Sequence, residues 1–178
     1  MTGYEIYESI RTIQGGIRLV SAILGAYYGY VEGKRKEDDL AVKRKVMDEI
    51  KKSRSNLTNI LSEFADRRDP KGQEAAKSVI DELDIFNTDV DLSEAGHRYP
   101  FFSIQNTANK DQIMKLIDFD KSLITTMENV AQATSMLHDK LIDGQVQAPD
   151  RELKKIKQYV TSCRNYYKDR RDFIKDIR

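Results

Sequence analysis

Residues 4–32 read YEIYESIRTIQGGIRLVSAILGAYYGYVE, and this stretch decides the fold class. Its apolar residues recur at spacings of four and three, at positions 6, 10, 13, 17, 20, 24, 27 and 31. Such spacing places them on one stripe of an α-helix, and we expect that stripe to be buried. Residues 19–31 also carry no charge. The sequence therefore predicts that helix 1 lies at the centre of the fold.

Four further helices are predicted from the rest of the chain. Pro70, Pro100 and Pro149 fall between segments of helical period, as expected for a residue that lacks an N–H and clashes with the preceding turn. The five predicted helices span about Tyr4–Glu32, Glu37–Arg67, Pro70–Phe86, Asn109–Asp143 and Pro149–Ile177. Only Gly33 signals a stop between helices 1 and 2, so the sequence leaves open whether they run on as one.

Capping signals support three of these boundaries. Asp69 before Pro70 predicts an N-cap followed by the first helical position. Asn109 with Gln112 three residues later matches a capping box, and Gly144 is the residue expected just after a helix ends.

These elements predict an all-α, up-and-down helical bundle of four long helices plus one shorter helix, forming one domain over residues 1–178. The composition agrees with a globular helical protein, because 39% of residues are hydrophobic and 33% are charged, with only three prolines. Residues 87–108 show no evident periodicity, which indicates either a functional loop or misplaced boundaries. We expect Phe101 and Phe102 to pack this loop onto the end of the bundle.

Helix 1 also carries a predicted interaction surface. Small residues recur every four positions on its remaining face: Ser21, Gly25, Gly29 and Gly33. Such a ridge lets a second backbone approach closely. Tyr27, Tyr28 and Tyr30 add aromatic surface suited to a partner helix, and Tyr28 is assigned to the interaction site with the ridge.

No metal or cofactor is predicted. Asn87, Asp89 and Asp91 resemble the first three ligands of a calcium loop, but the position that needs glycine is Leu92 and the twelfth is Arg98. A solvated acidic loop is the better interpretation. With two histidines and one cysteine, the common zinc frameworks are excluded.

No catalytic residue is predicted, and the chain is not expected to be an enzyme. Cys163 lies on an apolar stripe without a nearby histidine, so it is expected in the core. His138 is expected to be a structural group. An enzymatic alternative would need His97, Arg98 and Tyr99 to converge over the end of the bundle.

Two charged residues fall on apolar stripes. Asp120 interrupts the stripe of helix 4 and Arg170 that of helix 5. Because a buried, unpaired carboxylate is costly, we predict that they form an ion pair across the bundle. The alternative is a polar ligand pocket, for which Thr134 is the only other candidate on that stripe.

Charge is segregated along the chain, although the net charge is +1. Residues 81–94 carry six acids and no base, whereas residues 150–178 carry ten bases and five acids. The predicted basic face of helix 5 consists of Lys157, Arg164, Lys168, Arg171, Lys175 and Arg178. Such a face could track phosphates or anionic lipid, but compensation by the acidic stretch is the favoured interpretation.

The membrane question depends on helix 1. Its uncharged run of thirteen residues is shorter than the roughly 20 needed to cross a bilayer, so a core helix is favoured. Residues 1–7 show no basic segment before an apolar core, and a cytoplasmic location is expected. The leading hypothesis is a non-enzymatic helical interaction or assembly module that binds a protein partner or itself, most simply as a homo-oligomer. The alternatives are a membrane-active bundle that inserts helix 1, and nucleic-acid or anionic-surface binding through helix 5.

Overall fold

The computed structural model describes residues 3–93, 100–102 and 108–177, with side chains from residue 14 onward except that of Pro100. Within these ranges the chain is helical and contains no strand. The elements in order are α1 (Gly3–Leu24), α2 (Arg35–Asp66), α3 (Pro70–Asp91), a short 3-10 helix (Pro100–Phe102), α4 (Lys110–Ile142) and α5 (Pro149–Asp176). The predicted all-α helical bundle is confirmed, with closely packed helices.

The capping signals in the sequence are confirmed. The side chain of Asp69 accepts a hydrogen bond of 3.0 Å from the backbone N–H of Gly72. Asn109 and Gln112 bond reciprocally, each side chain accepting from the other residue's N–H at 2.8 and 2.9 Å. Gly144 has a φ of 69°, the left-handed conformation expected just beyond a helix.

The predicted extent of helix 1 is wrong. α1 ends at Leu24, eight residues before the expected Glu32. The chain then adopts positive φ at Gly25 (75°), Gly29 (69°) and Gly33 (80°), which is incompatible with a continuing helix. Helices 1 and 2 are therefore separate, and α1 is not one of the long helices. It has 22 residues, like α3, whereas α2, α4 and α5 have 32, 33 and 28.

α3 continues beyond its predicted end at Phe86 to Asp91. Phe86 and Val90 are four residues apart and both fully buried, so the buried stripe persists for one more turn. Asn87, Asp89 and Asp91 consequently lie on a helix. The calcium-loop resemblance is thus rejected, because a helical backbone cannot wrap these side chains around one cation as that loop does.

The chain forms two compact units. The first unit comprises Met1–Lys45, Ser93–Ile124 and Tyr167–Arg178; the second comprises Val46–Leu92 and Thr125–Tyr166. α2, α4 and α5 contribute residues to both. The core of the first unit includes Val20, Val42, Phe101, Leu116, Leu123 and Ile174. The core of the second includes Ile50, Leu57, Phe64, Leu83, Phe86, Met127, Leu153 and Val160.

No helix in the described ranges is long and apolar enough to cross a membrane. The uncharged run at residues 19–31, on which the membrane hypothesis depends, is divided by the end of α1 at Leu24.

Candidate functional site

A cluster of polar side chains is buried in the first unit around Arg170, which is 1% exposed. Its Nε lies 2.6 Å from Oδ1 of Asp120 on α4, and its Nη1 lies 2.8 Å from Oδ1 of Asp39 on α2. Nη2 donates to Oη of Tyr30 at 2.5 Å. The predicted ion pair between Asp120 and Arg170 is confirmed. We refer to Arg170, Asp39, Asp120, Tyr27 and Tyr30 as the arginine cluster.

The two tyrosines of the cluster come from the segment that follows α1. Tyr27 donates its hydroxyl to Oδ2 of Asp120 at 2.6 Å, so both carboxylate oxygens of Asp120 are engaged. The rings of Tyr27 and Tyr30 meet edge to face with centroids 5.7 Å apart. The prediction that Tyr27 and Tyr30 form surface for a partner helix is wrong, because both are buried; for Tyr27, burial agrees with its place on the apolar stripe. Tyr28 remains 45% exposed. The chain turns inward after α1, and this turn takes Tyr27 and Tyr30 off the surface.

The protonation states in the cluster follow from burial and charge. Burial raises the pKa of Asp120, although Arg170 and the hydrogen bond from Tyr27 lower it. Burial of Arg170 lowers its pKa, but the neighbouring Asp120 and Asp39 outweigh this effect and raise the pKa well above its ordinary value. Burial also raises the pKa of Tyr27 and of Tyr30. Both phenols therefore stay protonated, and Tyr27 can donate its hydrogen bond to Asp120.

A carboxylate of α2 holds residues 25–34, which we call the glycine segment. Asp38 accepts hydrogen bonds from the backbone N–H of Tyr28 at 2.8 Å and of Tyr30 at 2.6 Å. Burial raises the pKa of Asp38, although these two bonds lower it. Tyr30 itself has a φ of 58°, an uncommon conformation for a bulky residue. The two hydrogen bonds to Asp38 compensate part of the energetic cost of this backbone conformation.

The predicted ridge of small residues is not formed as one helix face. Ser21 lies on α1 and donates its hydroxyl to the carbonyl oxygen of Tyr27 at 2.8 Å. Gly25 and Gly33 turn the chain, and a Cβ on either would meet nothing within 4 Å. Gly29 is buried, and a Cβ there would lie 2.5 Å from Cδ1 of Ile17. Gly29 therefore lies close to Ile17 on α1 of the same unit. Gly25, Gly29 and Gly33 recur every four residues as turn positions with positive φ, and they do not form a helix face.

The charge of the basic face of α5 is partly compensated within the second unit, as the separation of acids and bases along the sequence predicts. Arg164 forms ion pairs with Glu82 at 2.9 Å and Asp89 at 2.8 Å, both on α3. These partners raise the pKa of Arg164 above its ordinary value. Lys157 donates to Oγ of Ser78 at 2.6 Å. Acids of the stretch 81–94 thus face the bases of α5.

Toward the end of α5 the basic face is more open. Lys175 pairs with Asp172 at 3.0 Å, and Arg171 lies 3.5 Å from the same carboxylate. Hydrogen bonding to Lys175 lowers the pKa of Asp172. Lys168 is half-buried. Arg178 lies outside the described residues.

The remaining candidate polar residues are held locally. Cys163 is buried, as predicted, and burial raises the pKa of its thiol to about 12. Thr134 donates to the carbonyl oxygen of Ala131 at 2.9 Å and accepts from Nδ2 of Asn56 at 3.1 Å. His138 is half-buried on α4. Residues 97–99, on which the enzymatic alternative depends, lie outside the described part of the chain.

An open groove of about 820 Å³ in the second unit was missed by sequence reasoning. We call it the α4–α5 groove, because it lies between the end of α4 and the start of α5. Leu137 and Ile156 line it and are each 5% exposed, so they form its apolar base. Met136 and Tyr159 also line it and are 48% and 59% exposed.

Basic side chains predominate among the charged residues of the groove. Lys140, Arg151 and Lys155 line it together with one acid, Glu152. Nζ of Lys155 lies 3.0 Å from Oε1 of Glu152, which leaves the groove with a net positive charge. The signal that could have indicated it is Tyr159, a large aromatic residue off the buried stripe of α5.

No protein-family model, no curated protein and no solved structure matches this chain. Its function must therefore be inferred from its own residues.

Proposed function

We propose that this protein is a non-enzymatic helical interaction module that self-associates through its second unit. The α4–α5 groove supports this function. Exposed apolar side chains that occur singly carry little meaning, but Met136 and Tyr159 stand together beside an apolar base. Methionine and tyrosine are among the residue types enriched at protein interfaces. We also propose the cytoplasmic location that is expected from the sequence.

The arginine cluster fits a structural role in this proposal. Its guanidinium binds two carboxylates and one phenol, and each of these groups comes from the same chain. Buried charges that are paired and hydrogen-bonded in this way help to determine which elements pack together. They are not free to bind a partner, so we assign partner binding to other surfaces. We assign the cluster to holding the glycine segment against α2, α4 and α5 within the first unit.

Binding of nucleic acid or anionic lipid through α5 has less support. Arg164, at the middle of the predicted basic face, already binds Glu82 and Asp89. An external phosphate would have to displace both carboxylates to reach it. A groove with an apolar base and exposed aromatic surface is better suited to a protein partner.

Sedimentation velocity from about 1 to about 100 μM tests the proposal. We expect the weight-average mass of the wild-type chain to rise with concentration. The variant Met136→Glu with Tyr159→Glu is expected to raise the dissociation constant at least ~10-fold, because it places two charges in the apolar contact. The matched control is Leu19→Glu with Val31→Glu, which adds the same charge at exposed apolar positions of the first unit.

The control variant is expected to associate like the wild type. A wild-type chain that stays monomeric over the whole concentration range would overturn the proposed function. Loss of association in the Leu19 and Val31 control alone would place the contact in the first unit, and the groove would then no longer support the proposal.

A further inference from the structure

We infer that the α4–α5 groove of one copy binds the acidic end of α3 from a second copy. This inference rests on the proposed self-association and specifies both surfaces of the contact. We call the second surface the acidic face; it consists of Asp81, Ile85, Asp91 and Leu92.

The acidic face combines exposed apolar side chains with carboxylates. Ile85 is 47% exposed and Leu92 is 73% exposed, and their spacing of seven residues puts them on one side of α3. Asp81 lies one turn before Ile85 on the same side, and Asp91 precedes Leu92; both aspartates are exposed. Residues 78–93 contain no basic residue. Asp84 on the same helix pairs with Arg54 of α2 at 2.7 Å, so the negative charge beside this apolar stripe is carried by Asp81 and Asp91.

The groove is complementary to this face in both polarity and charge. Its base is formed by Leu137 and Ile156, which can receive apolar side chains. After Glu152 has paired with Lys155, Lys140 and Arg151 supply positive charge at the groove. An amphipathic helix that lays its apolar side in a groove is a common recognition mode, and opposite charges at the rim fix its register.

A second copy of this chain supplies the occupant, because every copy carries both surfaces. The chain has a formal net charge of +1, so long-range repulsion between copies is small. Its charge is instead separated into an acidic stretch and a basic one, and this separation favours contacts between unlike surfaces of two copies. A partner protein with a different acidic helix would use the same groove, and the experiment below distinguishes it.

A charge-swap experiment tests the contact. The groove variant carries Lys140→Glu with Arg151→Glu, and the face variant carries Asp81→Lys with Asp91→Lys. In either variant alone, like charges meet across the contact, and we expect the dissociation constant measured by sedimentation velocity to rise at least ~10-fold. In an equimolar mixture, the acidic groove of the groove variant meets the basic face of the face variant, and the unchanged groove of the face variant meets the unchanged acidic face of the groove variant. We expect the mixture to recover the concentration-dependent mass of the wild type.

The matched control for the face variant is Asp111→Lys with Asp118→Lys, which makes the same charge change at exposed positions of α4 outside the second unit. It is expected to associate like the wild type. Circular dichroism and thermal unfolding of each variant show that its fold is kept.

The outcomes separate the inference from the proposed function. A wild-type chain that is monomeric at every concentration refutes self-association itself. If the wild type associates but both variants do so equally well, or if their mixture stays monomeric, self-association stands. The pairing of the groove with the acidic face is then wrong, and a different acidic partner becomes the better occupant of the groove.

Discussion

Replacing Arg170 with methionine tests the arginine cluster most severely. Methionine keeps an apolar stem of similar length but removes the guanidinium. The side chains of Asp39 and Asp120, which are 6% and 0% exposed, are then left without their cation. Asp120 then keeps hydrogen bonds from the phenols of Tyr27 and Tyr30, but no positive charge. Arg171→Met is the matched control, because Arg171 is partly exposed and its neighbour Asp172 lies 3.5 Å away.

The expected loss follows from the burial of the pair. Removing one partner of a buried ion pair costs about 3–5 kcal/mol, since the other charge stays desolvated. The free energy of unfolding of an ordinary domain is about 5–15 kcal/mol, so we expect Arg170→Met to remove a large fraction of it. The control removes only a partly exposed pair, which is worth about 0.5 kcal/mol or less. Urea unfolding followed by circular dichroism at 222 nm measures both.

The pH dependence of the same variant gives a second readout. Arg170 lowers the pKa of Asp120, so its removal raises that pKa further. The folded variant then binds a proton at a pH where the unfolded chain has released it, and its stability rises as the pH falls through that window. We therefore expect the deficit relative to the wild type to be smaller at about pH 5 than at about pH 7.5. Equal losses of stability in the two arginine variants, or a deficit that grows on acidification, would contradict the stabilising role of the buried ion pair.

Three further predictions concern packing and reactivity. Gly29→Ala is expected to cost about 2–4 kcal/mol in urea unfolding, because its positive φ and its contact with an isoleucine of α1 both oppose a Cβ; Gly33→Ala, with open space, should cost about 1–2 kcal/mol. Equal losses would contradict this. Gly72→Ala should lower the unfolding midpoint despite alanine's better helix propensity, since its Cβ would clash with the Phe64 ring; an unchanged or higher midpoint would show that the ring yields. Cys163, with a thiol pKa of about 12, should react with a disulfide reagent at least ~100-fold more slowly in the folded chain than in urea; equal rates would disprove its burial.

The helix boundaries that could be predicted from the sequence depend on local chemistry. Asp69 with Pro70, and Asn109 with Gln112, act within one turn, so their signal is complete in a short window. The end of α1 could not be predicted in this way. Gly25, Gly29 and Gly33 have the spacing of a helix face, and the turn that follows α1 is held by the carboxylate of Asp38 on α2, outside any short window.

The arginine cluster could be predicted only in part. A charge on an apolar stripe requires a partner, and this requirement identified Asp120 and Arg170. Asp39 gave no such signal, because it lies in an acidic run next to Asp38. The prediction that Tyr27 and Tyr30 form partner surface is wrong because it depends on helix 1 continuing past Leu24. The α4–α5 groove depends on which side chains stay exposed after packing, and one chain's periodicity does not specify this.

Hydrogen–deuterium exchange of the wild-type chain at low and high concentration can locate the self-association contact without any substitution. We predict that raising the concentration slows exchange in residues 81–92 and 133–159, where the acidic face and the α4–α5 groove lie, and leaves the glycine segment unchanged. Exchange that is independent of concentration throughout, or protection confined to the glycine segment, would contradict both the self-association and its place in the second unit.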